Sequence, residues 1–165
     1  MFRIMFVATF FLCNTYLYVL ALATKNVATF TDLQQAITSN TRINIVRSIV
    51  FPEVITISGI TNLTITSNGN GSITSDGLFQ NDYGGLLHIT SGTELKISKL
   101  TLVSGSAGYA GGCLYATGTS TVWIDDVDFI SCSAQMGGGI FLRSKATATI
   151  TNGAFTQCYA SSVSQ

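Results

Sequence analysis

Proline, histidine and tryptophan each occur once in this sequence. A single proline excludes collagen-like and proline-rich disordered chains. With His88 as the sole imidazole, neither a histidine-based zinc site nor a Ser-His-Asp triad can be assembled convincingly. Charge is scarce too. Eight basic and eight acidic side chains cancel over 165 residues, so no basic face points to nucleic acid and no acidic run reads as a tail. Thr, Ser, Gly, Ile and Val dominate instead. β-branched residues at this density suit pleated sheet, whereas a helical bundle needs Ala, Leu, Glu and Lys.

The first residues read as a leader. Arg3 supplies a positive start, Ile4 to Leu22 is apolar apart from Thr9, Asn14 and Thr15, and Ala21-Leu22-Ala23 offers small residues before Thr24. This is the layout of a secretory signal peptide over 1–23, with an uncleaved signal anchor as the other reading. The mature chain, 24–165, is then expected outside the cell or at its surface. Cys13 falls in the leader, leaving Cys113, Cys132 and Cys158, an odd count for an oxidising compartment. Asn62-Leu63-Thr64 and Asn70-Gly71-Ser72 are candidate N-glycosylation acceptors.

An internal period dominates the second half. Glycine pairs recur at Gly84-Gly85, Gly111-Gly112 and Gly137-Gly138, each followed by an apolar run. A second block, Ile97 to Leu102, matches Ile124 to Phe129 and Ile150 to Phe155 on the same beat of about 26 or 27 residues. Short alternating segments such as Thr121 to Ile124 are interrupted by the polar pairs Ser98-Lys99, Asp125-Asp126 and Thr151-Asn152. No unit has room for a ten-residue helix, which excludes a βαβ sheet. Such strands bury their apolar faces only by stacking unit on unit.

The expected fold is therefore all-β: a right-handed parallel β-helix of about five coils of roughly 26 residues. Leu100, Val127 and Gly153 should form one inward stack, and Leu102, Phe129 and Phe155 another. An antiparallel β-sandwich gives no reason for so strict a register. Upstream the period fades. Thr31-Asp32-Leu33-Gln34 reads as a capping box opening a short helix, with Phe30, Leu33 and Ile37 on the face that covers the first coil. Near Gln165 no closing element is evident, so the sequence reads as the front piece of a longer solenoid or as a truncated gene product.

Gly138-Gly139-Ile140-Phe141 and Gly111-Gly112-Cys113-Leu114 alternate with Phe129-Ile130-Ser131-Cys132 and Phe155-Thr156-Gln157-Cys158. This alternation resembles the repeat of the polymorphic outer membrane protein family, a Gly-Gly-hydrophobic-hydrophobic element and a Phe-x-x-Asn element, with Cys here in place of Asn. The wider chain resembles the pectin-lyase-like superfamily. The resemblance implies a right-handed β-helix, surface exposure and an adhesin-like role on polysaccharide or cell-surface ligands. Membrane contact is expected only through the leader or a C-terminal anchor beyond these residues.

Several residues are candidates for chemistry. Asp125, Asp126 and Asp128 form the only acidic cluster, which is suited to Ca²⁺ or to acid–base work on glycosides. The plainer reading is turn filler, with Lys99 and Asp126 stacked as opposite charges. No other cofactor is expected. Of the polygalacturonase elements only the Asp-Asp is present, so enzymatic activity is not the favoured expectation. The alternative is a fragment of a polysaccharide lyase or glycoside hydrolase, with Arg143 as a conceivable partner of the acids. Trp123 and Tyr115 are candidates for an exposed aromatic platform. Cys132 and Cys158 lie one repeat apart, as a disulfide or as a ladder of reduced thiols.

Overall fold

The computed structural model describes residues 22–69, 71–77 and 81–161. The expected leader therefore lies outside the described residues but for Leu22 and Ala23, and Asn70 lies outside them too. Among the described residues no helix is long and apolar enough to cross a membrane.

The chain forms a parallel β-solenoid with one short helix. The main sheet runs through Ala23–Val27, Thr41–Ile45, Leu63–Ser67, Glu94–Val103, Thr121–Ile130 and Thr147–Thr151, every neighbour parallel. One row across it reads Thr24, Arg42, Thr64, Lys96, Trp123, Thr149. The coil length behind that row is 18, 22 and 32 residues upstream and settles to 27 and 26 downstream. The strict period thus belongs to the last coils, and the upstream fading is a real change in coil length. A second sheet stacks Ile55–Ser58, Leu87–Thr90, Leu114–Ala116 and Ile140–Leu142.

Between the sheets, side chains stack like on like. Ile43, Ile65, Ile97, Ile124 and Ile150 form one register column, and Ile49, Ile73, Leu102, Phe129 and Phe155 another. The Phe129 and Phe155 rings are stacked 4.7 Å apart. Leu100 and Val127 pair in register with Gly153 next, as expected from the repeat. Phe129 is wholly buried, a burial worth roughly 1.5–3 kcal/mol.

The helix Phe30–Ala36 covers the first coils with Leu33 and Ala36 buried. Phe30 meets Phe51 edge-on at 5.0 Å. Its N-cap is Thr29, not Thr31 as expected. The Thr29 hydroxyl accepts from the Asp32 N–H at 3.1 Å, whereas Thr31 already lies inside the helix, beyond the extended residue a cap requires.

Corners repeat as strictly as strands. Gly59, Ser91, Gly118 and Ser144 fall in one column with φ between +55° and +73°. Lys99, Asp126 and Asn152 form a second left-handed column, which bends the long strands at the polar pairs. The glycine pairs have a double cause. Gly84, Gly111 and Gly137 have positive φ, while Gly85, Gly112 and Gly138 sit flat on the next coil. A Cβ on Gly112 would overlap Gly138 O and Ser133 N.

Cys132 is bonded to Cys113, with Cα atoms 5.4 Å apart. The pairing of Cys132 with Cys158 considered from the sequence is not the one formed. Cys113 lies across the corner from Cys132. One coil on, the place of Cys113 is taken by Gly139, so Cys158 faces no second sulfur there and keeps a free thiol. That thiol donates to Phe129 O at 3.3 Å.

Two predictions follow from this corner chemistry. Gly112→Ala should cost about 3 kcal/mol or more in a chemical denaturation experiment, because neither backbone can retreat. Ser91→Gly, at a position whose column already holds glycine, should instead stabilise by up to about 1 kcal/mol; equal effects of the two would sink this account. In the second, peptide mapping under non-reducing conditions should link Cys113 to Cys132 and alkylate Cys158 alone. Replacing both bonded cysteines by alanine should lower stability by about 3 kcal/mol, the scale for a loop of this size.

Candidate functional site

The outward column of the second sheet is aromatic. Its register reads Thr56, His88, Tyr115, Phe141. Alternation sends Leu87, Ile89, Leu114 and Ala116 inward and these side chains outward. His88 and Tyr115 meet edge to face at 5.1 Å, and Tyr115 and Phe141 stack at 6.0 Å with an interplanar angle of 7°. The neighbouring strands Asn81–Tyr83 and Ala107–Ala110 add two more rings. Tyr83 lies 4.8 Å from Tyr115, 5.5 Å from Tyr109 and 6.5 Å from His88. Tyr115 is only 3% exposed at the centre, whereas Tyr109 at the rim is 40% exposed.

Electrostatics complete the face. Arg143 follows Phe141 by two residues, beside Tyr115 and Tyr83. The hydrogen bond to Tyr115 is the main cause that holds its pKa above the ordinary arginine value. His88 is pushed the other way: burial lowers its pKa, which favours the neutral imidazole. The result is an apolar wall with hydroxyls and one positioned cation, the composition of sites that hold small ligands.

The sequence candidates are distributed differently. Trp123 points outward, 42% exposed, because Val122 and Ile124 take the two inward positions. It stands on the main sheet between Lys96 and Thr149, with Asp125 lining the same shallow depression of about 400 Å³. Trp123 and Tyr115 therefore belong to different sheets and form no common platform. Asp126 and Asp128 line another cleft, with Lys99. The acidic cluster is split, and among the described residues no group of three histidine, cysteine, aspartate or glutamate side chains is placed to hold a metal ion. Arg143 sits with the tyrosines rather than with the carboxylates. Asn62 occupies a left-handed corner, and its amide donates to Asn40 Oδ1 at 3.0 Å. Asn70 lies outside the described residues.

Tyr83 and Tyr109 were not singled out in the sequence, while Phe141 entered only as part of the repeat and Arg143 only as a conceivable partner of the acids. A signal existed for part of the set: His88, Tyr115 and Phe141 keep the same spacing as the glycine pairs.

Compared with protein-family models, with curated proteins and with solved structures, the chain finds no match in any of the three.

The lowered His88 pKa sets a pH dependence. The unfolded chain binds the proton more readily than the folded one, so His88 contributes stability that is lost as pH falls below the unfolded value near 6.5. The melting temperature should drop between neutral pH and pH of about 5, and His88→Phe should flatten that part of the profile. An unchanged slope in the variant would remove His88 from the account.

Proposed function

We propose that the chain is an exported, non-enzymatic β-helix protein that binds polysaccharide or cell-surface ligands. The leader-like first 23 residues support export. The repeat resemblance to the polymorphic outer membrane proteins, within a pectin-lyase-like architecture, supports a surface role. One observation carries the binding assignment: the ladder of His88, Tyr115 and Phe141, walled by Tyr83 and Tyr109 and topped by Arg143. Aromatic faces take the apolar side of a sugar ring, and the tyrosine hydroxyls and guanidinium take its oxygens. Binding on this reading uses side chains alone and needs no cofactor.

Affinity electrophoresis in gels containing soluble β-glucan, xylan or polygalacturonate tests it. Retardation in at least one gel is expected. Tyr109→Ala and Arg143→Gln should weaken it by about tenfold, with Trp123→Ala unchanged. Free migration in all three gels would overturn the assignment, and release of new reducing ends from the polymer would support the lyase or hydrolase reading instead.

A further inference from the structure

A cleft of about 690 Å³ opens where the main sheet bends, and it is separate from the aromatic face. Arg42 and Lys99 line it from earlier coils, and Asp126 and Asp128 from the coil that follows Lys99. Lys99 and Asp126 are successive members of the left-handed corner column. Among the described residues no ion pair joins any of these four groups. Their charges are committed to solvent, sorted by sign, with the change of sign across one coil step of about 5 Å.

Between the charges the lining is hydroxylic. Ser72, Thr101 and Asp128 occupy one outward register column, and the Ser72 hydroxyl donates to Ser48 at 2.8 Å. One wall is fixed from below, since the buried Ser67 Oγ accepts from Gly71 N–H at 2.7 Å and from Gly69 N–H at 3.3 Å. A cleft of this size falls within the range of small-ligand sites, about 300–1,000 Å³.

We infer that this cleft binds a zwitterionic saccharide, one that carries an anionic group beside a free amine. The anion lies toward Arg42 and Lys99, and the ammonium toward Asp126 and Asp128. Hydroxyls of the sugar exchange hydrogen bonds with Ser72 and Thr101. An exclusively anionic or cationic chain meets like charge in half of the cleft, which penalises it. The hydroxyls of Ser72 and Thr101 beside the charged groups favour a sugar over a charged peptide, whose apolar stems find only Leu100 here.

The test is calorimetric titration of the full chain with a de-N-acetylated hyaluronan tetrasaccharide, which alternates amine and carboxylate, at mildly acidic pH and low salt. Its fully N-acetylated parent is the anion-only comparison, and a chitosan tetrasaccharide the cation-only one. The zwitterion should bind at least about tenfold more tightly than either. The double variants Arg42→Gln/Lys99→Gln and Asp126→Asn/Asp128→Asn should each erase that preference. Asparagine tolerates the left-handed φ of Asp126, and an unchanged melting curve confirms that each variant is folded. Equal affinity for the parent, unaltered binding by the variants, or no binding would overturn the inference. Tighter binding of an alternating Lys-Glu peptide would reassign the cleft to protein. Tyr109→Ala should leave this binding intact, so the outcome is independent of the aromatic face.

Discussion

Everything in this molecule depends on one backbone constraint: each coil must lie on the one before it at the hydrogen-bonding distance of a parallel sheet, about 4.8 Å. That spacing admits no local invention. A corner that turns through a left-handed residue in one coil must do so in the next, which is why Lys99, Asp126 and Asn152 share positive φ despite having nothing chemically in common. Ten non-glycine residues among those described take this conformation. Each carries a steric cost of order 1–2 kcal/mol, tolerated because the hydrogen bonds on both sides over-determine the turn.

The same spacing explains the scarcity of charge. Two like charges about 4 Å apart repel by about 1 kcal/mol even in water, and by more near a protein surface. An outward column therefore cannot be charged throughout. The Thr24 row changes character at each coil: Thr, Arg, Thr, Lys, Trp, Thr. Polar side chains can instead repeat, provided that each donor finds the next acceptor. Asn44 donates to Asn26 Oδ1 at 2.8 Å, and Ser98 to Thr66 Oγ1 at 3.0 Å. The ladder breaks between them, where an amide meets the shorter threonine and Asn44 Oδ1 is buried with no partner among the described residues.

The downstream coils were legible in the sequence because equal coil lengths turn stacking into a plain period. The inward columns and the glycine pairs followed directly. Coils of 18, 22 and 32 residues stack by the same rule but leave no repeat to count. The Thr29 cap was misplaced by two residues because Thr29 and Thr31 each have an acidic or amide side chain three residues on, Asp32 and Gln34, and only the bond from the Asp32 N–H distinguishes them. The disulfide was hidden for a subtler reason. The period relates Cys132 to Cys158 along the axis, whereas Cys113 lies across the same coil, a relation set by coil width. Half of the aromatic face was readable along the column. Tyr83 and Tyr109 reach it sideways from another sheet, and Arg143 does so from beyond the strand end.

In a solenoid a single outward position repeated over three coils becomes a ladder with a pitch close to the coil spacing. The aromatic face is such a ladder, and its rings need no support beyond the strands beneath them. The cleft at the bend is built otherwise. There Lys99 and Asp126 occupy equivalent positions in successive coils with opposite sign, and among the described residues no ion pair joins them. Stacking alone would permit them to neutralise each other. That the left-handed corner turns both into the same cleft as Arg42 and Asp128, without closing an ion pair, leaves a dipole along the solenoid axis. A ligand with the opposite dipole gains from both ends at once, whereas one of uniform charge must surrender at one end what it gains at the other.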